Sequence, residues 1–383
     1  MPCAPTYRRA PIAPPPSIGR MNVAGGGSLG WRTHTARDGG PVADVQGIEI
    51  EPVTDWYRAN VPGATPPLEF ELIAGGHSNL TYRVTDADGR RTVLRRPPLG
   101  QVLASAHDMG REHRIIAALH DTDIPVAPPL GYVPDDSVNG APFYVMDFVE
   151  GHVLRTQDEA LALSPEARAN CGDSLVDVLA RIHAVDVDAV GLGDLGRKDG
   201  YIERQLKRWY GQWEKSKTRE LPEIDEVHRV LSADVPDQGP AAIVHGDYRL
   251  DNCMVDDRGD VIAVLDWELC TLGDALADVG LLMVYWSEPG DRSPTLGAPT
   301  AAEGMRTRQE LLDRYAAASG RDLSNIDYYV AFGYWKLACI VEGVYARYIG
   351  GSMGTRDTSD FDGFKLQVEA LAAQAKAAVD RLA

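Results

Sequence analysis

No lysine precedes Lys198 in this chain, so any cation that the first half requires must be arginine or histidine. Cysteine is equally sparse and unorganised. Five residues (Cys3, Cys171, Cys253, Cys270, Cys339) form no C-x-x-C pair, which argues against a zinc ribbon and for a reduced, cytoplasmic chain. No apolar run approaches the roughly 20 residues that a membrane span demands. The opening residues lack the continuous apolar stretch of a secretory signal. Basic surplus is missing too: 38 Lys and Arg stand against 56 Asp and Glu, a formal net charge of -18. A phosphate backbone selects for basic surface, so nucleic-acid partners are excluded.

What remains is a chain of 383 residues, 44% hydrophobic and 25% charged. That length suits two packed lobes rather than one core. Residues 1–45 combine the proline-rich stretch Pro11 to Pro16 with a glycine run, Gly25 to Gly27, and show no periodicity. They are expected to be a flexible tail. Residues 46–150 are expected to form a small β-rich lobe. A short helix over Gly47 to Ala59 leads into strands at Phe70–Ile73, Leu80–Thr85 and Thr92–Arg95. A helix follows with Ile115, Ile116 and Leu119 on one face, then two strands around an Asn139-Gly140 turn. Residues 151–383 read as mainly helical. Ser164-Pro165-Glu166 starts a helix whose apolar face carries Leu175, Val178, Leu179 and Ile182. Further helices are expected over Tyr201–Lys217, Arg306–Ala318, Tyr328–Ile349 and Phe361–Leu382. The segment from Ala241 to Asp278 interrupts them with three short strands at Ala242–Val244, Cys253–Val255 and Val261–Leu265.

That interruption holds the chemistry. His245-Gly246-Asp247-Tyr248-Arg249-Leu250-Asp251-Asn252 is followed, one hairpin later, by Asp266-Trp267-Glu268. A single Asp after a strand is usually a turn former. An H-x-D-x-x-x-x-N loop, a hairpin and an Asp ending an apolar strand together are the layout of kinase catalytic and metal loops. Phosphoryl transfer needs one carboxylate to orient the attacking hydroxyl and accept its proton, a second to hold magnesium, and an oxygen to complete the metal site. Asp247 is the candidate base. Asn252 and Asp266 are the candidate magnesium ligands.

The run HGDYRLDN...VLDWE resembles the aminoglycoside phosphotransferase family, which also holds choline-kinase-like enzymes. The runs VLRRPP, SAHDMGREHRII and VLDWELCTLGDALADVG resemble more closely the kinase-like domain of certain acyl-CoA dehydrogenases. The resemblance covers about Leu68 to Ala383. It implies an α+β, protein-kinase-like two-lobed fold, with a small β-rich N-lobe and a large helical C-lobe. The implied activity is transfer of phosphate from ATP, or another nucleoside triphosphate, with Mg2+ to a small-molecule alcohol. An aminoglycoside or a hydroxyacyl thioester is a candidate acceptor. By the same resemblance Asp278 is a structural acid, and Asp251 braces the loop.

In the first lobe, Gly75, Gly76, Ser78 and Asn79 could cover the phosphates, although an ordinary hairpin turn would look alike. Arg95 takes the place of the kinase strand lysine, with Arg96 as the alternative, and Glu112 is its helix partner. Met146, Asp147 and Val149 would form the adenine hinge. Glu268, Tyr285 and Trp286 are the candidate acceptor residues. Aromatics at helical spacing, such as Trp209, Trp213 and Trp335, belong more naturally to a core. Two rivals stay open: a nucleotide-binding pseudokinase, motivated by Arg95, and a metal-dependent hydrolase built on His245 and the three metal or base candidates.

Overall fold

The computed structural model describes residues 45–74, 79–99, 108–291, 298–350 and 362–382. The expected tail therefore lies outside the described residues, except that Val45 packs against the first-lobe core. The loop residues Gly75, Gly76 and Ser78 also lie outside them.

The first lobe opens with α1 (Ile50–Asn60), then β1 (Glu69–Ala74), β2 (Leu80–Thr85) and β3 (Arg91–Arg96). After α2 (Met109–His120) come β4 (Pro129–Val133) and β5 (Phe143–Asp147). The five strands form one antiparallel sheet in the order β1-β2-β3-β5-β4. Alternation sets its faces: Leu80, Tyr82 and Val84 of β2 are buried, and the intervening residues are less so. They join Leu94, Phe143 and Val145 and, from α1, Val53 and Tyr57. On the other side α2 starts at Asp108, whose carboxylate accepts from the Arg111 N–H at 2.9 Å. Its buried face is the expected one, Ile115, Ile116 and Leu119, with Glu112 added.

The second lobe continues with α3 (Gln157–Leu161), α4 (Pro165–Ala184), α5 (Tyr201–Ser216) and α6 (Pro222–Ala233). Ser164 caps α4 as expected, accepting from Ala167 N–H at 3.1 Å. Four short strands follow: β6 (Ala242–Val244), β7 (Cys253–Val255), β8 (Val261–Val264) and β9 (Thr271–Gly273). The lobe closes with α7 (Leu276–Tyr285), α8 (Arg308–Ser319), α9 (Ile326–Ile349) and α10 (Asp362–Val379). No helix among the described residues is long and apolar enough to cross a membrane. One core cluster runs from α2 through α4 and the strands to α7 and α8, and a second joins α5, α6, α9 and α10.

Four elements were not expected. α3 is a single short turn of helix, closed by a capping box between Thr156 and Glu159. α6 buries Ile224, Val227 and Leu231, a helical spacing hidden among charged neighbours. α7 is apolar nearly all round because it is buried nearly all round, which erases amphipathic periodicity. β9 is three residues long and pairs with β6, not with its sequence neighbours. The expected hairpin, β7 with β8, is present.

Candidate functional site

Asp247 follows β6, whose three residues are completely buried. The peptide before it is fixed by Asp278 of α7. One Asp278 oxygen accepts from His245 N–H at 2.6 Å and the other from Gly246 N–H at 2.9 Å. Burial would raise the Asp278 pKa, but hydrogen bonding and the charge of His183, with these backbone donors, bring it below the usual carboxylate range. Gly246 has φ +87°, a conformation open to glycine, and a side chain there would meet the Leu269 carbonyl at 3.0 Å. The loop closes on itself at Asn252. Its amide nitrogen donates to the Asp247 carbonyl at 2.8 Å and to the Asp247 carboxylate at 2.9 Å. With Nδ2 committed to Asp247, Oδ1 is the Asn252 atom suited to a cation.

The β7–β8 hairpin carries the chain back from Asn252 to Asp266. Cys253 pairs with Val264, and Leu265 N–H donates to the Asn252 carbonyl at 2.8 Å. The Leu265 carbonyl contacts His245 Nε2 at 2.9 Å. Asp266 itself has φ +62°, the one non-glycine residue with positive φ among the described residues. Such a backbone costs free energy and concentrates at functional sites.

Across from this loop, Arg95 on β3 contacts Glu112 of α2 at 3.0 Å and Asp266 at 2.6 Å. Glu112 is held from two further sides, by Asn79 Nδ2 at 2.8 Å and the Tyr144 hydroxyl at 2.9 Å. Burial raises the Glu112 pKa, and the Arg95 charge opposes that rise. Arg96 points the other way, as strand alternation requires. It donates to the Gly47 carbonyl and, at 3.4 Å, to that of Asn139.

Glu268 does not join Tyr285 and Trp286 as expected. Its carboxylate lies 3.4 Å from Asn79 Nδ2 and 3.9 Å from Arg95, because the short 3-10 turn after Asp266 directs it toward the first lobe. Burial and the neighbouring Asp266 charge push its pKa up to about 7. Tyr285 and Trp286 do come together. They line a cavity of about 40 Å³ with Arg155, Arg249, Asp251 and Thr300. Arg249 reaches over the Tyr285 ring at 5.0 Å and lies 3.4 Å from Asp247 and 3.2 Å from Asp251. Sequence reasoning passed over Arg249 and Tyr144, although Arg249 stands two residues after Asp247.

At the expected hinge, Met146 pairs with Val93 and packs against the main core. The Asp147 N–H is used by the Pro128 carbonyl at 2.8 Å, and its side chain by Arg90 at 2.9 Å. The Val149 backbone makes no hydrogen bond among the described residues.

A family model described as the phosphotransferase enzyme family (APH) matches residues 69–323, a span that holds every residue named above for chemistry. The chain belongs to the phosphotransferase enzyme family. It is 36% identical over 301 residues to acyl-CoA dehydrogenase family member 10 of Mus musculus, covering 75% of this chain and 27% of that protein. The chain spans about a third of the length of the curated relatives it matches. A crystal structure from Ralstonia eutropha JMP134, solved as a candidate aminoglycoside phosphotransferase, is 33% identical with a TM-score of 0.75. It covers 87% of this chain and 99% of that one. Spectinomycin phosphotransferase, solved with ADP and spectinomycin, shares the fold at a TM-score of 0.55 and 15% identity over 86% of this chain and 99% of its own. The kinase-like, two-lobed α+β architecture expected from the sequence is therefore the fold of this phosphotransferase.

The donors offered by Asn252 and Asp266 are an amide oxygen and a carboxylate. That set fits a hard divalent cation such as Mg2+, which uses few protein ligands and keeps water and phosphate oxygens. No group of three or more His, Cys, Asp or Glu converges on a metal position among the described residues. A hydrolase built on His245 has no such cluster to use. His245 is instead buried and turned to the Leu265 carbonyl.

Proposed function

We propose that this phosphotransferase moves a phosphoryl group from ATP, or another nucleoside triphosphate, to a hydroxyl of a small molecule, with Mg2+ as the metal. One observation carries the reading. The Asp247–Asn252 loop of the second lobe is bonded to Leu265, and the next residue, Asp266, pairs with Arg95, the partner of Glu112 in the first lobe. These are the parts that phosphoryl transfer requires, supplied from two lobes.

In this reading residues 46–150 cradle the nucleotide and residues 151–383 carry the chemistry and the acceptor. Backbone groups at Val149, with Met146 beside them, hold the adenine. Asn79 faces the phosphates, and Arg95 turns its charge to them. Asn252 and Asp266 would hold Mg2+, which supplies charge neutralisation on the phosphates when bound. Asp247 orients the acceptor hydroxyl and takes its proton as the oxygen attacks. The acceptor enters the cavity beside Tyr285, Trp286 and Asp251. Two guanidinium groups stand in that wall, which suits a polycationic aminoglycoside poorly. Glu268 belongs with the nucleotide side. The ADP complex of a neighbour with the same fold supports nucleotide use. A pseudokinase has no support once Arg95 is seen paired with Glu112 as a strand lysine would be.

The test is a metabolite-library screen with ATP and Mg2+, read by mass spectrometry for a phosphorylated alcohol. Gain of phosphate on an acceptor, dependent on Asp247, is expected. ATP binding without transfer to any member of a broad library would overturn the reading.

A further inference from the structure

Lys336 sits in the middle of α9 with only 6% of its surface exposed. A buried ammonium is costly, and a methionine would fill the same space without that cost. Among the described residues its ammonium donates to the Gly246 carbonyl, Nζ to oxygen 3.2 Å, across ninety residues of sequence. Burial pushes the lysine pKa down, and the carboxylates of Asp278 and Asp247 act against that.

The acceptor of this bond is the informative part. The Gly246 carbonyl belongs to the peptide whose nitrogen is that of Asp247. The Gly246 N–H, one peptide earlier, is bound by Asp278. A carboxylate from α7 therefore grips one side of Gly246 and an ammonium from α9 the other. The two helices are locked together close by, where Gly280 leaves no room for a side chain against the Tyr329 backbone. Gly246 is the residue with the most rotational freedom in the loop, at φ +87°. The same peptide is held on its other edge by the Asp247 N–H, which donates to His245 Nδ1 at 3.3 Å. Without the Lys336 grip on its carbonyl, that one long bond is left to stop the peptide from turning about the glycine.

We propose that Lys336 is a positioning residue for Asp247: it fixes the Gly246–Asp247 peptide and so sets the direction of the catalytic carboxylate. This inference rests on the phosphotransferase reading of Asp247. It differs from a packing role in what it moves. Nucleotide and metal are assigned to other residues, so their binding is untouched, and only the chemical step depends on Lys336.

The experiment compares Lys336→Met, Lys336→Gln and Lys336→Arg with wild type. Each is assayed for kcat and KM on the acceptor found by the screen. Each is also assayed for the Kd of a non-hydrolysable ATP analogue with Mg2+ and for melting temperature. Lys336→Met is expected to bind nucleotide within about twofold of wild type and to lose about 10² in kcat, the scale of a 1 Å misplacement of a reacting group. Lys336→Arg, which keeps a cationic donor, is expected to recover at least about tenfold of that loss, on the same scale. Unchanged kcat in Lys336→Met overturns the inference. So does a parallel loss of kcat and nucleotide affinity, which would mark a merely structural lysine. Should Lys336→Met fail to melt cooperatively, Lys336→Gln decides, because wild-type kcat in that shortened, neutral variant is incompatible with the proposal. A wild-type protein that phosphorylates no acceptor removes the phosphotransfer reading and this inference together. An active wild type with an equally active Lys336→Met removes the inference alone.

Discussion

The two sides of the candidate site are held by different forces. On the proposed catalytic side, Asp247 is fixed through the backbone of its loop: Asp278 and Lys336 bind the peptide groups of His245 and Gly246, and Asn252 binds the Asp247 carbonyl. On the proposed nucleotide side, Arg95 is held by side-chain ion pairs, to Glu112 and, through a hydrogen bond, to Asp266. Backbone hydrogen bonds in a buried setting fix geometry whether or not a ligand is present. A largely buried arginine stays compensated when one anionic partner is exchanged for another, whereas losing its partners outright is costly. The proposed base is thus preorganised, whereas the proposed metal ligand lies in an ion pair that a magnesium-bound triphosphate would replace.

Substitutions that remove one side and spare the other test this contrast. The largest effect is expected at Asp247. Asp247→Asn should keep magnesium-nucleotide affinity and lose about 10² to 10⁴ in turnover, the usual share of a general base. Calorimetry and a phosphorylation assay read the two quantities separately, and near-wild-type turnover would place the base elsewhere. Asp266→Asn should fail on both counts. Loss of a metal ligand forfeits several kcal/mol of charge stabilisation, so nucleotide affinity in magnesium should fall by at least about tenfold. Normal nucleotide binding by an inactive Asp266→Asn would remove it as the metal ligand.

Arg95→Ala and Arg96→Ala sharpen the contrast further. Both arginines have buried partners, so both variants should melt earlier. Only Arg95→Ala should weaken nucleotide binding, because Arg96 spends its donors on Gly47 and Asn139. Equal affinity losses would mean that the strand face was misassigned. The smallest effect is expected at the start of the described chain. A protein beginning at Val45 should match the full chain in stability and nucleotide binding. One beginning at Gly47 loses the Gln46 carbonyl, which accepts from the Tyr82 hydroxyl at 2.6 Å, and should lose about 1 kcal/mol. Differential scanning fluorimetry of the two truncations decides.

The same contrast governs how much could be read before the structure. Asp247, Asn252 and Asp266 are separated by one loop and one hairpin, so their meeting is local and the motif reveals it. Arg95 and Glu112 were legible through strand and helix order, and alternation on β3 separates Arg95 from Arg96. The direction of Glu268 was not legible, because a three-residue turn decides which lobe it faces and no periodicity marks that turn. Tyr144 looked like an ordinary strand aromatic, since nothing in its neighbourhood announces the hydroxyl that meets Glu112. Lys336 was invisible for the same reason. A lysine amid the aromatic and apolar residues of α9 gives no hint of the carbonyl ninety residues earlier that it binds. The expected adenine hinge narrows to Val149 only once the sheet hydrogen bonds of Asp147 and Phe148 are assigned.

The left-handed backbone at Asp266 sets folding against the proposed metal role at a single position. Glycine adopts that conformation without strain and asparagine tolerates it well. Either would suit the turn without bringing a carboxylate into an acidic neighbourhood. Selection for thermal robustness alone would therefore drift away from aspartate at 266. Consensus or computational stabilisation of this chain should hold that residue fixed, because the sequence that folds most comfortably there is one that has surrendered its proposed grip on the metal.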